Sequence, residues 1–93
     1  MSTPEYAVTI CQSLETGQLV RGNEAKGSSP YSVRLMVGCP PNTNLFALFH
    51  THPLEGGGRL EPSLADIREA KKLGISRLCI SVPEKNLFKC FNI

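Results

Sequence analysis

The chain has 93 residues, a length that fits one domain and is too short for two independent hydrophobic cores. Hydrophobic residues make up 41% of it and charged residues 19%, a balance that excludes an intrinsically disordered chain. Ten Lys and Arg against eight Asp and Glu leave a net charge of +2, and because the basic residues are scattered we expect no nucleic-acid interface.

The first half of the chain predicts a hairpin and a further strand. Residues 6–12 alternate as a strand does, 15–17 supply turn chemistry, and 18–21 form the return strand. Residues 22–30 are rich in Gly, Asn, Ser and Pro and predict a long loop. Residues 31–37 place apolar side chains at every second position, which predicts the clearest strand of the sequence.

The second half predicts a buried strand, a helix and a closing hairpin. Residues 38–44 form a turn, and the apolar run 45–50 is typical of a central strand whose residues 45–49 belong to the core. Residues 53–62 contain three consecutive glycines and need outside contacts to hold one conformation, so we expect a mobile flap.

A helix should begin at residues 63–66 and end at Gly74, with an apolar stripe of Leu64, Ile67 and Leu73. Two final strands, 77–82 and 87–93, are joined by 83–86. The order predicts a single α+β domain spanning 1–93, with a mixed or antiparallel sheet covered by one helix.

The four cysteines have none of the CxxC spacing of a thiolate metal site, and we interpret them as small apolar fillers. A disulfide is an alternative for one pair, because the closing hairpin would place Cys79 directly opposite Cys90. Phe88 and Phe91 are expected to be packing residues. The adjacent Lys71 and Lys72 are expected on a solvated helix face.

The beginning of the chain and its apolar runs bear on location. The first five residues lack the basic region and apolar core of a secretion signal, and the longest apolar stretches span only a few residues. We therefore expect a soluble protein with no membrane partner and take the cytoplasm as the default compartment. Delivery as a secreted effector is an alternative, and the oligomeric state stays open.

Two histidines carry the strongest chemical signal. His50 and His52 are two positions apart on an extended segment, so both imidazoles should point to the same side of the sheet. A catalytic zinc site uses three protein ligands and leaves a fourth position open, and Asp66 in the first turn of the next helix is placed to be the third. We predict Zn²⁺ as the cofactor, held by these three residues.

The same residues carry a resemblance to a family. The segment His50-Thr51-His52-Pro53, a ten-residue interval from Pro53 through Pro62, and then Ser63-Leu64-Ala65-Asp66 resembles the HxHP and SxxD signature of the JAB/JAMM (MPN+) zinc metalloproteases. Residues beyond the motif are weakly similar to small prokaryotic JAB-domain proteins. The resemblance implies a compact JAB/MPN-like, cytidine-deaminase-like domain that hydrolyses peptide or isopeptide bonds.

The resemblance also implies roles for further residues. Ser63 would stabilise the oxyanion, and a glutamate before an early strand would be the general base. Glu5 follows Pro4 ahead of the first strand and matches that position best, with Glu24 and then Glu15 as alternatives. The substrate implied is a protein or peptide, with the tail of a ubiquitin-like modifier as one candidate.

Other interpretations of these residues remain open. Ser63 and Asp66 form the pattern of a capping box, which would satisfy free backbone donors at a helix start and which is compatible with the metal role. The glycine triplet lacks the Gly-Lys-Ser/Thr of a phosphate-binding loop. The alternative function is a catalytically inactive JAB-like binding or assembly module, either metal-free or with a purely structural zinc.

Overall fold

The structure is a computed structural model that describes residues 4–29 and 33–93. Within these residues the chain forms five strands and one α-helix. Their bounds are β1 Tyr6–Ser13, β2 Leu19–Lys26, β3 Thr43–Thr51, α1 Leu64–Lys72, β4 Arg77–Val82 and β5 Leu87–Asn92. Short 3-10 turns occupy Leu54–Gly56 and Pro83–Lys85. The predicted α+β class is confirmed.

The strands form one mixed sheet in the order β2-β1-β3-β4-β5. Strands β3 and β4 are parallel and are connected through α1, whereas the other neighbouring pairs are antiparallel. A parallel pair needs such a crossover because its second strand must start at the same end as the first. As predicted, β3 is central, and its downstream end carries His50 between β1 and β4.

The core lies between the sheet and α1. Ala70 of the helix and Leu78, Ile80 and Val82 of β4 are completely buried. Helix α1 begins with the capping box that the sequence allowed and ends at Lys72, two residues before the predicted Gly74, which has φ +77; the predicted apolar stripe is only partly correct. Leu64 and Leu73 are 63% and 39% exposed, Ile67 is half-buried, and Ala70 is the buried residue of the helix.

The opposite face of the sheet has no helix over it in the described ranges. Rings from three strands line up across it: Tyr6 with Phe49, and Phe49 stacked on Phe88 at 6.0 Å between centroids. Phe88 packs on Phe49 as predicted, although it remains 62% exposed. Leu45, at the upstream end of β3, is likewise exposed rather than core, whereas Ala47 is buried.

Strand β2 continues where a loop was predicted. It runs to Lys26, through Gly22, because the glycine allows the backbone around Gly38 to approach it. A Cβ on Gly22 would lie 2.1 Å from the carbonyl oxygen of Gly38, and the neighbouring Asn23 N–H donates to that same oxygen. The glycine therefore marks close packing of two backbone segments and does not break the strand.

The strand predicted over 31–37 is not a strand in its described part, 33–37. Its side chains do alternate, since Val33, Leu35 and Val37 are half-buried while Arg34 and Met36 are exposed. Burial that alternates at every second residue indicates an extended chain with one side covered. Such a chain does not have to form hydrogen bonds with a neighbouring strand. Positions 31 and 32 lie outside the described residues.

All four cysteines form disulfides, which corrects their interpretation as free apolar fillers. Cys11 of β1 is bonded to Cys39, and this bond fastens the extended segment to the sheet. Cys79 and Cys90 face each other in β4 and β5, as the predicted hairpin register requires, and are also bonded. Nothing in the spacing of Cys11 and Cys39 indicated their pairing.

Strand β3 begins at Thr43, inside the predicted turn 38–44, whereas the predictions for β4, β5 and the two lysines agree with the structure. Strand β4 has the predicted bounds, β5 ends one residue before the predicted Ile93, and Lys71 and Lys72 are exposed. The glycine-rich segment after His52 is not shapeless, because a 3-10 turn and several hydrogen bonds give it a defined path. No helix within the described ranges has the length and apolarity to cross a membrane.

Candidate metal centre

The two histidines lie where β3 leaves the sheet. His50 is paired with Ala7 of β1 and Ile80 of β4, and the N–H of His52 donates to the carbonyl of Ser81 at 2.7 Å. The extended backbone through Thr51 places both rings on one side, with their centroids 4.6 Å apart. Both imidazoles are therefore fixed by the central strand.

The first turn of α1 brings a carboxylate to the same point. The Oδ2 atom of Asp66 is 3.3 Å from Nε2 of His52 and 3.8 Å from Nε2 of His50. Two ligand atoms that each lie about 2.0–2.1 Å from a tetrahedral zinc are about 3.3–3.4 Å apart. The two separations from Asp66 Oδ2 are close to those between ligand atoms of one zinc ion, while the two histidine rings lie 4.6 Å apart between centroids.

A polar atom without a partner marks the same position. The Nε2 atom of His50 is buried and makes no hydrogen bond within the described part of the chain. Leaving a buried polar atom without a partner costs about 1–3 kcal/mol, so such atoms usually have a function. A cation bound between His50, His52 and Asp66 would satisfy it, which is a second observation in favour of a metal fit.

The other nitrogen of each ring has a protein partner. Nδ1 of His52 lies 2.6 Å from the carbonyl oxygen of Arg59, so this nitrogen carries a proton, and Nε2 has the lone pair when the ring is neutral. Nδ1 of His50 lies 3.5 Å from Oε1 of Glu5, a longer contact in which a ring nitrogen again faces an acceptor oxygen. Metal-binding histidines commonly use their second nitrogen in this way.

Glu5 lies beside the histidines and is held by its backbone. Its N–H donates to Ser29, its carbonyl accepts from Gly27, and the residue is 7% exposed. One of its carboxylate oxygens lies within 4.8 Å of a ring nitrogen of both His50 and His52. It is therefore within the range of a group that exchanges a proton with a water between these residues.

Glu5, His50 and His52 also form an alternative ligand set. We prefer the set with Asp66, because the contact between Glu5 and His50 uses Nδ1, whereas the atom that lacks a partner is Nε2. A metal bound through Nδ1 would leave Nε2 of His50 buried and unsatisfied. Both ligand sets contain His50 and His52, so they are two ways of binding one ion at the same site.

The other two glutamates considered as general bases lie elsewhere. Glu24 accepts a hydrogen bond from the hydroxyl of Tyr6 and is paired weakly with Arg21 on the uncovered side of the sheet. Glu15 lies in the exposed turn after β1. The fold therefore brings only Glu5, of the three, to the histidines.

Ser63 and Asp66 form the capping box that the sequence pattern allowed. The Ser63 hydroxyl accepts from the Asp66 N–H at 3.0 Å, and Asp66 Oδ2 accepts from the Ser63 N–H at 2.8 Å. The proton of the Ser63 hydroxyl is not used in these bonds and can be donated to another group. The box also fixes the Asp66 carboxylate beside the histidines, so capping and metal binding are compatible.

The pKa values of the pair reflect their contact. Burial alone would raise the pKa of Asp66, but hydrogen bonds from His52 and Ser63 and the proximity of His50 outweigh it and lower the pKa to about 2. The hydrogen bond to Asp66 raises the pKa of His52, partly opposed by burial and supported by the carbonyl of Arg59. Without metal, the fold thus favours a protonated His52 beside an ionised Asp66.

A cleft of about 740 Å³ opens at the site, lined among others by Glu5, His50, Ser63 and Asp66. The extended segment 33–37 forms one wall, which the sequence did not predict. The carbonyl of Arg59 was also missed, because a backbone acceptor leaves no signature in side-chain patterns. Only the position of the glycines just before Arg59 indicated an unusual backbone path there.

Comparison of the chain with protein-family models, with curated protein sequences and with solved structures finds no match.

Proposed function

We propose that the chain is a zinc-dependent hydrolase of peptide or isopeptide bonds, with a domain of the JAB/JAMM (MPN+) type. The observation that carries the proposal is that Oδ2 of Asp66 lies 3.3 Å from Nε2 of His52 and 3.8 Å from Nε2 of His50. The resemblance of the HxHP and SxxD motifs also supports it, because these motifs assign the same three residues to zinc binding.

The chemistry assigns a separate task to each residue. His50 and His52 as neutral imidazoles, with the Asp66 carboxylate, would hold the ion. When bound, zinc supplies Lewis-acid polarisation and lowers the pKa of water to near 7. Glu5 takes the proton of the attacking water and returns it to the leaving amine. Ser63 donates its hydroxyl proton to the oxyanion.

The substrate class is inferred from the resemblance and from the open cleft. A peptide or a protein tail fits a cleft that reaches the surface beside Glu5, Ser63 and Asp66. The tail of a ubiquitin-like modifier is the candidate that the resemblance adds. The net charge of +2 and the scattered basic residues provide no support for a nucleic-acid substrate.

Metal analysis combined with a substitution at Glu5 tests the proposal. The full chain should bind one zinc per molecule and cleave a ubiquitin-like protein carrying a fluorogenic C-terminal amide. Glu5→Gln should retain zinc and lose turnover by roughly 10²–10⁴-fold, the usual contribution of a general base. Glu24→Gln, which changes a glutamate on the other side of the sheet, should leave turnover unchanged.

A second candidate function is a JAB-like binding or assembly module without catalysis. It is favoured by the contact of Glu5 with Nδ1 of His50 at 3.5 Å, which gives the proposed general base a purely structural partner. For such a module, turnover would be absent in the wild type, and zinc would be absent or would contribute to stability only.

A further inference from the structure

The loop after β3 folds around its own first residues. We define the glycine loop as residues 53–59; in it the N–H groups of Gly56 and Gly58 both donate to the carbonyl of Pro53, and that of Gly57 donates to Leu54. Pro53 itself is fully buried. The loop therefore winds back onto a buried anchor beside His52, although residues 54–57 are exposed.

Two contacts give the loop its shape. Gly58 has φ +57, and a Cβ there would lie 2.8 Å from a methyl carbon of Leu54 and 3.3 Å from its Cα, so a larger residue is opposed by both conformation and space. Glu84, in the turn between β4 and β5, accepts a hydrogen bond from the N–H of Leu54 at 3.2 Å. The loop is thus fastened to a distant part of the chain.

The shape of the loop determines where the next carbonyl points. Arg59 directly follows Gly58, and its carbonyl oxygen lies 2.6 Å from Nδ1 of His52. A carbonyl can only accept, so this contact requires a proton on Nδ1, and in the neutral ring the lone pair then lies on Nε2. The Asp66 carboxylate, 3.3 Å from Nε2, favours a proton on that nitrogen instead, so the Arg59 carbonyl must compete with it for the tautomer. If the carbonyl moved away, the neutral ring could exchange to the other tautomer, whose Nε2–H cannot bind a cation.

We propose that Gly58 and Glu84 are positioning residues that hold the glycine loop so that the Arg59 carbonyl selects the cation-binding tautomer of His52. The effect on metal binding rests on the proposed function, whereas the effect on the tautomer is a property of the metal-free protein. Neither residue touches the metal position itself. Partners of this kind usually change metal affinity by 10–100-fold when they are removed.

The experiment measures the tautomer and the affinity separately. Nitrogen-15 NMR of the metal-free full chain, at a pH above the raised pKa of His52, reports which ring nitrogen carries the proton. Gly58→Ala and Glu84→Ala should each increase the Nε2–H form of His52 and weaken zinc binding by about 10–100-fold. Glu84→Gln, whose amide oxygen can still accept from Leu54, should restore both toward wild type.

Matched controls are available in the same loop. Gly56→Ala changes a glycine whose φ is not positive, and Glu55→Ala removes an exposed glutamate of the same turn; both should leave the tautomer and the affinity unchanged. The proposal is overturned if folded Gly58→Ala and Glu84→Ala proteins keep the wild-type tautomer. A wild type that shows the Nδ1–H tautomer but binds no zinc would refute the metal centre and leave the positioning of His52 standing.

Discussion

At the scale of single residues, Asp66 has two tasks that one carboxylate can perform together. It accepts the Ser63 N–H in the capping box and faces the Nε2 atoms of both histidines. The helix start thereby fixes the carboxylate before any cation binds, which reduces the ordering that binding requires. Pre-organised ligands of this kind are the main structural argument for a metal centre in this chain.

The pKa shifts predict how stability depends on pH in the metal-free protein. Asp66 has a lowered pKa, so its contribution is present above its ordinary pKa of 3.8 and is lost as the pH falls toward about 2. His52 has a raised pKa, so its contribution is complete below 6.5 and is lost as the pH rises through the raised value. Metal-free protein should therefore be most stable between about pH 4 and pH 6.5 in urea titrations.

Zinc should reverse the upper part of this profile. Protons compete with the metal for imidazole nitrogens, so with excess zinc the free energy of unfolding should increase as the pH rises above 6.5. Identical pH profiles of the metal-free and the zinc-loaded protein would contradict this prediction.

In the metal-free protein, Asp66→Asn should lower the free energy of unfolding by about 2 kcal/mol near pH 5 and abolish the loss of stability between pH 4 and 2.

Ser63 can be tested for its two roles at once. Ser63→Ala removes the helix cap and should lower the free energy of unfolding by about 1 kcal/mol. Because the hydroxyl proton is free to reach the oxyanion, kcat should also fall by roughly 10²–10³-fold. Ser63→Thr keeps the hydroxyl and should restore both. If Ser63→Ala loses about 1 kcal/mol of stability but keeps the wild-type kcat, Ser63 has the capping role alone.

At the scale of elements, the close approach of β2 and the segment around Gly38 fixes one wall of the cleft. Gly22→Ala would place its Cβ 2.1 Å from the Gly38 carbonyl oxygen, so one of the two backbones must move. We expect a loss of about 1–3 kcal/mol, as for other overpacked sites, measured by urea unfolding. Val20→Ala, at an exposed position of the same strand, is the control and should change stability little. A loss of equal size in both variants would show that the contact with Gly38 is unimportant.

The elements also show what a local pattern can predict. Strands β1 and β4 and helix α1 depend on alternation, capping and a terminal glycine, all of which are local, and the sequence indicated them. The segment 33–37 alternates equally well but makes no ladder, because partner strands are chosen by the fold and not by the segment. Gly22 was misinterpreted for the same reason, since the backbone that approaches it is distant in sequence.

The candidate site likewise contains residues that the sequence indicated and contacts that it could not predict. His50, His52 and Asp66 were indicated by residue type and spacing, and the fold brings them together. The Arg59 carbonyl and the Glu84 anchor could not be predicted, because one is backbone and the other lies 30 residues from its partner Leu54. Side-chain chemistry was visible in the sequence, whereas the contacts that orient it depend on tertiary structure.

At the scale of the whole molecule, two disulfides connect the parts that surround the site. The Cys11–Cys39 bond spans 28 residues and the Cys79–Cys90 bond spans 11. The first bond joins β1 to the extended segment that forms one wall of the cleft, and the second joins β4 to β5.

The loop lengths predict which disulfide contributes more to stability. Restriction of the unfolded chain gives about 3.6 kcal/mol for the longer loop and about 2.8 kcal/mol for the shorter one. The double variant Cys11→Ser/Cys39→Ser should therefore unfold at lower urea than Cys79→Ser/Cys90→Ser. Thiol titration of the unfolded wild type should detect no free thiol before reduction. Four titratable thiols, or no stability change on reduction, would exclude both bonds.

The central claim is that one divalent ion binds between the two histidines and the helix-start carboxylate. Anomalous scattering from a zinc-grown crystal, measured on both sides of the zinc absorption edge, tests it most directly. The account predicts one peak about 2.0–2.1 Å from Nε2 of His50, from Nε2 of His52 and from a carboxylate oxygen of Asp66. A crystal without that peak, or with a peak between Glu5 and Nδ1 of His50 and none beside Asp66, would contradict it.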